Sequence, residues 1–367
     1  MKNVYCLALV VLLCTSCKKS GVLAGNYPVV VVDLRTKDVQ KDLSAFTSFS
    51  TVKLEVTDES LLADIAKVIC HNDRVYVLSM LEPTLFIFDK SGKYQSKLAK
   101  GQGPGEVTFV SDMAVYHDTL YVLDGYRSIK SYNLDGTYIK EKAQFDYPYF
   151  SMSLTQSGIY LLDPNINRKS NHNLHFIASN GEEKTFLPKN KWFKDVSIAT
   201  YNSMREGYIV WPLSNIVYKV EKGSDDLIPA CLIDFKGKWI DGQEYKSAVT
   251  NEEMWGGSLD KYARWLKDFI PLKGGGFFFS FKYDQDYFVK YINGSVSIYA
   301  NLLAGLPKMK QAAVGSVNDS LIYTYTREEL REYKKEFPNQ DKEILRNLYT
   351  SVEEEDLNPI LFFVPVN

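Results

Sequence analysis

A β-type segment recurs along this chain, and the recurrence limits the possible folds more than any other feature of the sequence. NDRVYVLSMLEPTLFIFDKSGKYQSKLA at residues 72–99 aligns almost without gaps with HDTLYVLDGYRSIKSYNLDGTYIKEKA at residues 117–143. Each copy contains a turn, a short β run, a second turn and a second β run that ends near Asp or Gly. Weaker copies begin near Ser157, Glu206, Gly274 and Asn318, and the last of these finishes with NPILFFVPVN at the C-terminus.

These units predict an all-β fold, a six-bladed β-propeller with small helical insertions. The first five units begin about 40 to 70 residues apart, and a period near 40 to 50 residues with four short strands per unit is typical of a propeller. A single twisted four-stranded sheet cannot bury both of its faces, whereas blades packed around an axis bury all faces except the ends. The ring must also close, so we expect either Ser50–Val56 or Tyr27–Leu34 to pair with the last blade near Ile360–Val364.

The composition agrees with β structure and argues against a nucleic-acid partner. The chain contains 25 Tyr, 20 Phe and 5 Trp, residues that favour pleated, half-buried surfaces. Lys and Arg total 43 and Asp and Glu total 45, for a formal net charge of −2. Nucleic-acid-binding domains carry a basic excess that this chain lacks.

Two segments interrupt the β pattern and are predicted to be helical insertions. Residues 241–269 place Tyr262, Trp265, Leu266 and Phe269 at helical spacing. Residues 327–350 are typical of two short amphipathic helices broken at Pro338, with an inward face formed by Leu330, Tyr333, Ile344, Leu345 and Leu348. Packing on the edge of the ring is the expected role of both insertions, and docking of a partner is the alternative.

The N-terminus has the features of a lipoprotein signal. The apolar run Val4–Leu13 is too short to span a bilayer and suits the core of a signal peptide. Thr-Ser before Cys17 resembles a bacterial lipobox, in which the cysteine is diacylated, and two acyl chains anchor a protein stably. We therefore predict a signal peptide over 1–16, a lipidated tether over 17–26 and the propeller over 27–367, without a transmembrane segment; a cleaved soluble signal is the alternative.

Several of these features together resemble a known family. They are the lipobox-like start, GQGPGEV at 101–107, LYVLDGYRSIKSYNLDG at 120–136, the late helical insertion and the terminal NPILFFV. The chain resembles the six-bladed β-propeller lipoproteins of Gram-negative gut-type anaerobes, which are related in shape to NHL and TolB-like propellers. That resemblance implies a fold and an envelope location more than a function. Because Lys18 and Lys19 follow Cys17 where acidic residues would favour surface export, we expect an outer-membrane anchor that faces the periplasm.

The glycine-rich GQGPGEV segment is interpreted as a connection between blades. A P-loop requires Lys-Ser/Thr after its last glycine, and a dinucleotide fingerprint requires a following helix, whereas Glu106-Val107 and β-type sequence follow here. Glycine permits positive φ and close backbone approach, and Pro104 restricts the turn. The loop is expected at one end of the ring near the axis, where Gln102 and Glu106 would line a ligand site.

Signals for metal or nucleophilic chemistry are weak. The four histidines, His71, His117, His172 and His175, lack an accompanying cluster of acidic residues or cysteines. The sequence contains neither HExxH nor Gly-x-Ser-x-Gly. No metal site or cofactor is predicted, although a Ca²⁺ in the central channel belongs to the enzymatic alternative. Cys70 and Cys231 lie in strand-like runs and are predicted to be buried free thiols.

The best candidate ligand-binding residues lie in turns expected to join the second and third strands of their blades. DGYRS at 124–128, WPLSN at 211–215 and KYDQDY at 282–287 combine aromatic rings with polar groups, which suits sugar or peptide binding. The predicted site residues are Gln102, Glu106, Tyr126, Arg127, Trp211, Asp284 and Tyr287. The leading interpretation is a non-enzymatic binding or scaffold module for a protein, peptide or glycan. A hydrolase or lyase acting on a saccharide or peptide at the axial pocket is the alternative, and a purely structural role is a third.

Overall fold

The protein is represented by a computed structural model. It describes residues 27–35, 39–163, 170–193, 196, 198, 203–205, 207–221, 224–241, 249–255, 257–272, 275–303, 312–336, 338, 346, 349–350, 352 and 358–366. The predicted signal peptide and tether, residues 1–26, lie outside this set, as do Ile344, Leu345 and Leu348 of the late insertion.

The described residues form six sheets, and three strands precede the first of them in the chain: β1 (Val29–Val31), β2 (Val39–Phe46) and β3 (Ser50–Val52). Blade 1 contains β4 (Ile65–His71), β5 (Arg74–Ser79), β6 (Leu85–Asp89) and β7 (Tyr94–Lys97). Blade 2 contains β8 (Val110–Tyr116), β9 (Thr119–Asp124), β10 (Ser128–Tyr132) and β11 (Tyr138–Gln144). Blade 3 contains β12 (Ser151–Leu154), β13 (Gly158–Leu162), β14 (His172–Ala178) and β15 (Glu183–Pro188).

Blade 4 contains β16 (Met204–Arg205), β17 (Tyr208–Val210), β18 (Ile216–Val220) and β19 (Leu227–Asp234). Blade 5 contains β20 (Arg264–Pro271), β21 (Phe277–Lys282), β22 (Asp286–Ile292) and β23 (Ser295–Leu303). Blade 6 contains β24 (Gly315–Val317), β25 (Ser320–Tyr325) and β26 (Ile360–Pro365) together with β3. The all-β, six-bladed propeller predicted from the repeats is confirmed. Each repeat recognised in the sequence begins at the turn before the second strand, so the blades start one strand earlier than the repeats.

The blades are apolar on both faces because each sheet is covered by two neighbours. In β5, Tyr76 and Leu78 pack with Met113 and other residues of blade 2 in one buried cluster. Val75 and Val77 of the same strand point the other way and pack with residues of blade 6. Burial on both faces explains why the strand sequences are nearly continuous apolar runs rather than alternating ones.

The ring closes through the N-terminal segment. Strand β3 pairs antiparallel with β26 in the register Val52↔Leu361 and Ser50↔Phe363, as predicted for Ser50–Val56. The other candidate, Tyr27–Leu34, has a different role, since β1 runs parallel to β19 and adds a fifth strand to blade 4. Strand β2 likewise runs parallel to β23 in blade 5. The N-terminal segment therefore lines the outer edges of two blades before it completes the sixth.

The predicted insertion at 241–269 is helical only in part. A short α-helix, α1 (Asn251–Trp255), and a 3-10 helix at Gly257–Leu259 occupy its middle. The helical interpretation of Tyr262, Trp265, Leu266 and Phe269 is wrong, because the last three belong to β20, the inner strand of blade 5, and Tyr262 precedes it.

Bulges in β20 account for this error. Successive paired residues on β20 are three apart, while their partners on β21 are two apart; the pairs are Arg264↔Lys282, Lys267↔Ser280 and Ile270↔Phe278. Trp265 and Asp268 have positive φ values of 54° and 57° at these irregularities. A doubly bulged strand repeats every three residues on one face and therefore imitates the spacing of an amphipathic helix.

The first half of the late insertion is confirmed as a helix, α2 (Arg327–Glu336). Thr326 and Glu329 form a capping box, in which the Glu329 carboxylate accepts the Thr326 N–H at 2.9 Å and the Thr326 hydroxyl accepts the Glu329 N–H at 3.2 Å. Leu330 and Tyr333 are buried against the core between blades 5 and 6, as their spacing predicts. Within the described residues, no helix is long and apolar enough to span a membrane.

Candidate functional site

The antiparallel order of strands gives the ring two chemically distinct ends. The upper end holds the connections between blades and the turns between second and third strands. The lower end holds the hairpins between first and second strands and between third and fourth strands. All seven predicted site residues belong to the upper end, as the sequence interpretation requires.

The GQGPGEV loop connects β7 to β8, as predicted, and its acidic residue stabilises the loop itself. The Glu106 carboxylate accepts the N–H of Gly103 at 2.7 Å, and the Glu106 N–H donates to the Gly103 carbonyl at 3.1 Å. Gly105 has φ +81°, and a Cβ at this position would lie 2.6 Å from Cβ of Tyr138. Gln102 is exposed. The glycines therefore serve close packing, and the carboxylate of Glu106 is engaged within the loop.

The loop lies farther from the axis than expected. Lys130, on the third strand of blade 2, donates to the Glu106 carbonyl at 2.6 Å. The Tyr132 hydroxyl, on the same strand, donates to the Gly105 carbonyl at 3.2 Å, and Tyr138 belongs to the outermost strand. These contacts correct the prediction of an axial position for Glu106, because the connection reaches the inner strand only after crossing the outer half of the blade.

Tyr126 and Arg127 form the most accessible part of the predicted site. Tyr126 has φ +65°, and its ring packs against Phe109 at 5.0 Å and Phe150 at 6.1 Å between ring centroids. Phe150 is buried, the other two rings are half-buried, and Arg127 is exposed. This arrangement places an aromatic stack beside a solvent-exposed guanidinium group where blades 2 and 3 meet.

Asp124 fixes the turn that carries Tyr126. Its carboxylate accepts the N–H groups of Thr108 at 2.8 Å and Phe109 at 2.9 Å, and it pairs with Lys130 at 2.7 Å. Burial alone would raise the pKa of Asp124, but the hydrogen bonds from Lys130, Phe109 and Thr108 outweigh it and hold the pKa below its usual value. The aspartate is therefore a structural anion.

The remaining predicted residues lie on other blades and are not brought together with Tyr126. The Trp211 side chain belongs to the buried cluster between blades 3 and 4, where the residue is 7% exposed. In blade 5 the Tyr287 hydroxyl donates to Asp284 at 2.9 Å, and the Tyr287 ring stacks on Phe281 with centroids 5.6 Å apart. Tyr287 is buried, so only Asp284 of this pair is open to a ligand.

Sequence analysis missed a buried polar cluster on the inner strands of blades 1 to 3. Lys67, Asp112 and Ser151 occupy equivalent positions, opposite Leu78, Leu123 and Leu162 respectively. One Asp112 oxygen accepts Lys67 Nζ at 2.7 Å, and the other accepts the Ser151 hydroxyl at 2.8 Å. The N–H groups of Met113 and Met152 also donate to this carboxylate, at 2.8 and 2.7 Å.

This cluster joins three blades rather than performing chemistry. Asp112 is fully buried, and each of its oxygens already accepts two hydrogen bonds. Register shifts, which indicate bulges, precede both Lys67 and Asp112 in their strands. Because a bulge has no clear local sequence signal, the inward direction of these side chains was not predictable from the repeat.

A cleft opens at the lower end, between blades 3 and 4, and sequence analysis also missed it. It is a cleft of about 930 Å³ formed by the β12–β13 hairpin on one side and the β16–β17 and β18–β19 hairpins on the other. Residues that line it include Ser153, Thr155, Gln156, Ser157, Tyr208 and Lys219. None of the seven predicted site residues lines this cleft. Its walls are hairpin turns from two blades, and these turns lie about 50 residues apart in the sequence. Each turn by itself resembles an ordinary structural turn, so the sequence did not indicate a cleft.

The polar groups of the cleft differ in how far they are already engaged. Asp225 accepts a hydrogen bond from Ser157, and its carbonyl accepts the Tyr160 hydroxyl at 2.7 Å. Glu221 accepts the Ser224 hydroxyl at 2.7 Å. Gln156 and Lys219 are exposed, and Lys219 forms no ion pair within the described part of the chain. A ligand would therefore meet the exposed ammonium group of Lys219 together with hydroxyl groups and a tyrosine ring. Arg205 and the hydrogen-bonded carboxylates of Glu221 and Asp225 also line the cleft.

His71 and the two described cysteines have structural surroundings. His71 Nε2 lies 2.7 Å from Asp118 Oδ1 and joins blades 1 and 2 at the lower end. In the described residues, no group of three or more His, Cys, Asp or Glu side chains is placed to hold a metal ion. Cys70 and Cys231 are free thiols, as predicted; Cys231 is buried and Cys70 is half-buried. Burial raises the pKa of Cys70 to about 11 and that of Cys231 to about 12.

Comparison with solved structures supports the fold. A crystallised protein from Bacteroides fragilis NCTC 9343 that is inferred to be exported matches with a TM-score of 0.70 and 16% identity, over 92% of this chain and 99% of that one. A member of the DUF4221 family from Bacteroides vulgatus ATCC 8482 matches with a TM-score of 0.45 and 11% identity, over 88% and 98% of the two chains. A luciferin-regenerating enzyme matches with a TM-score of 0.43 and 12% identity, over 87% and 95%. At these identities the first match shows the fold alone, and the weaker two carry no argument.

No functionally curated protein matches the sequence significantly. The family model described as "Domain of unknown function (DUF4934)" matches residues 29–365, which include all six blades and the N-terminal strands. The chain therefore belongs to the DUF4934 family.

Proposed function

We propose that this propeller is a binding protein of the cell envelope that holds a short oligosaccharide in the cleft between blades 3 and 4. The observation that carries the proposal is the cleft itself. Its volume of about 930 Å³ lies within the range of known small-ligand sites, roughly 300 to 1,000 Å³.

The lining favours a sugar over an apolar ligand. The hydroxyl of Ser153 and the amide of Gln156 provide hydrogen-bonding groups along one wall, and Tyr208 provides a ring on the other. The Thr155 hydroxyl lies on the same wall but is hydrogen-bonded within its own turn. An apolar ring face beside hydrogen-bonding groups suits the two kinds of surface on a pyranose. Lys219 adds an exposed positive charge, whereas the carboxylates of Glu221 and Asp225 already accept hydrogen bonds from Ser224 and Ser157. The preferred ligand is therefore an acidic oligosaccharide, such as one that contains a uronic acid.

The experiment is calorimetric titration of the purified protein with short neutral and uronic-acid oligosaccharides. Lys219→Ala is expected to weaken binding of the acidic sugars by about tenfold or more, because a charge-assisted hydrogen bond contributes about 1.5 to 3 kcal/mol. Its effect on neutral sugars is expected to be small.

Arg127→Ala is the matched control, since it removes an exposed cation at the upper end. It is expected to leave binding unchanged. If Arg127→Ala weakens binding and Lys219→Ala does not, the ligand binds at Tyr126 and Arg127 of the upper end and the cleft proposal is wrong. If the protein binds short peptides instead of sugars and Lys219→Ala weakens that binding, the cleft is the site and the proposed ligand class is wrong.

The location in the envelope is part of the same proposal. It is supported by the lipobox-like Cys17, by the resemblance to NHL- and TolB-like lipoprotein propellers, and by the exported relative from B. fragilis. An acyl-bearing N-terminal Cys17 in the mature protein, facing the periplasm from the outer membrane, is the expected form. Mass spectrometry of the N-terminal peptide tests it, and a soluble, unacylated mature protein would contradict it.

A further inference from the structure

We propose that Ser170, in the β13–β14 turn of blade 3, His175, in the middle of β14, and Glu183, on β15, form a nucleophilic site that hydrolyses short-chain carboxylic esters. The Ser170 hydroxyl oxygen lies 2.9 Å from His175 Nε2, and His175 Nδ1 lies 2.6 Å from Glu183 Oε1. A nucleophile, a base and a group that orients the base, each within hydrogen-bond reach of the next, is the arrangement that activates serine in hydrolases. The site is separate from the cleft and adds an activity to the binding proposed above.

The sheet holds the histidine in this orientation. His175 lies on β14 and Glu183 on β15, and the register His175↔Thr185 and Ile177↔Glu183 places Glu183 diagonally across from the histidine on the same face. The imidazole is buried, with its side chain 5% exposed, and the Tyr149 ring packs against it at 5.3 Å. Because it is packed in this way, the His175 side chain can adopt few other rotamers.

The hydrogen bonds select the productive tautomer. An ionised glutamate carboxylate can only accept hydrogen bonds, so the proton between Glu183 and His175 lies on Nδ1. With Nδ1 protonated, Nε2 of a neutral ring is an acceptor, which is the state a general base requires. The Ser170 hydroxyl also lies 3.0 Å from the His172 carbonyl and can donate to it, so its single proton must turn to Nε2 before His175 can act. The N–H of His172 also donates to the Ser170 oxygen, at 3.0 Å. That bond would stabilise negative charge as the serine loses its proton.

Blade 4 contains the same serine turn without the other two groups. Ser214 accepts the N–H of Ile216 at 3.1 Å, just as Ser170 accepts the N–H of His172. Asn215 and Asn171 follow the two serines, and their carbonyls accept the N–H groups of Ile233 and Lys189, respectively, at 2.8 Å. The position of His175 is occupied by Lys219 in blade 4. The turn therefore forms without histidine, and the histidine and glutamate are additions specific to blade 3.

The reaction balances with water as the only co-substrate. Ser170 Oγ attacks the ester carbonyl while His175 Nε2 takes the hydroxyl proton, and the leaving alcohol receives that proton as the carbon–oxygen bond breaks. Water then attacks the acyl-serine, gives its proton to His175, and releases the carboxylic acid as the proton returns to Ser170. The backbone N–H of Asn171 has no acceptor among the described residues and is available to the developing oxyanion.

The experiment uses the purified protein with two probes, 4-nitrophenyl acetate and a fluorophosphonate. We expect ester hydrolysis above the rate of a denatured sample, and fluorophosphonate labelling that peptide mass spectrometry maps to Ser170. Ser170→Ala is expected to abolish labelling and to lower the rate by about 10²- to 10⁴-fold, and His175→Gln is expected to lower it similarly. Glu183→Gln tests the positioning role and should lower kcat more than it raises KM.

Ser214→Ala is the matched control for loss of a serine turn, and it should leave both labelling and rate unchanged. Circular dichroism of Ser170→Ala and Ser214→Ala establishes whether the two variants fold equally. An unlabelled Ser170 in the folded protein, or equal hydrolysis rates for the two alanine variants, would overturn the proposal.

Discussion

The two ends of the ring use similar polar residues for different purposes. At the upper end, Glu106 stabilises its own loop, Asp124 fixes the start of blade 2, and Asp112 joins the inner strands just below. At the lower end, Gln156 and Lys219 face a cleft and remain exposed. In this propeller, turn residues that look functional in sequence are largely engaged in the fold, whereas the cleft lies where hairpins of neighbouring blades diverge.

The largest loss of stability is expected for Asp112→Ala. The substitution leaves the buried ammonium group of Lys67 without its carboxylate and removes the acceptor for two N–H groups and a hydroxyl. Removing one partner of a buried ion pair costs about 3 to 5 kcal/mol. Urea denaturation measures the loss, and Asp73→Ala, which breaks the exposed pair with Lys90, should leave stability almost unchanged. Similar values for the two variants would contradict the structural role given to the cluster.

Substitution of one glycine at each end of the ring allows a direct comparison of the two ends. Gly105 at the upper end has φ +81° and Gly207 at the lower end has φ +78°, but only a Cβ on Gly105 would collide with another residue. Gly105→Ala is expected to cost about 3 kcal/mol, from backbone strain and overpacking together, and Gly207→Ala about 1 kcal/mol from strain alone. Equal shifts in thermal or urea unfolding would show that the loop can move away from Tyr138.

A smaller, pH-dependent effect is expected at Asp124. Asp124→Asn should cost about 2 kcal/mol near neutral pH, because the carboxylate accepts several hydrogen bonds. The folded-state pKa lies below the unfolded value, so this contribution is complete above the unfolded pKa, about 3.9, and is lost as the pH falls through the folded pKa. The stability difference between wild type and variant should therefore be constant above about pH 5 and shrink below about pH 4. A stability difference between wild type and variant that grows as the pH falls would contradict the lowered pKa of Asp124.

The smallest change in stability is expected for Lys219→Ala at the cleft. The side chain is exposed and forms no ion pair in the described residues, so the free energy of unfolding should change by less than about 0.5 kcal/mol. Thermal unfolding checks this, and the same variant should lose affinity for acidic oligosaccharides. A marked destabilisation would place Lys219 in the framework of the blade and blur the distinction between the ends.

The repeats predicted the propeller because both the β runs and the turns carry local signals. They fixed the number of blades, the connecting role of GQGPGEV and closure through Ser50–Val56. The helical prediction that covered β20 was wrong, since the bulges in this strand repeat the side chains of one face every three residues. The repeats also could not indicate Asp112 or the cleft, because these depend on how neighbouring blades lie against each other, which leaves no mark on any single stretch of sequence.

The strand that completes blade 6 also has consequences for how the protein folds. Val52 pairs with Leu361, residues more than 300 positions apart, so this sheet cannot form until nearly the whole chain is present. Contacts of such long range slow folding. Until they form, β26 lacks its partner β3, and the hydrogen-bonding edge of blade 6 is open to other chains. A chain that ends before Ile360 would therefore keep an open ring and a reactive strand edge, so self-association is its expected fate.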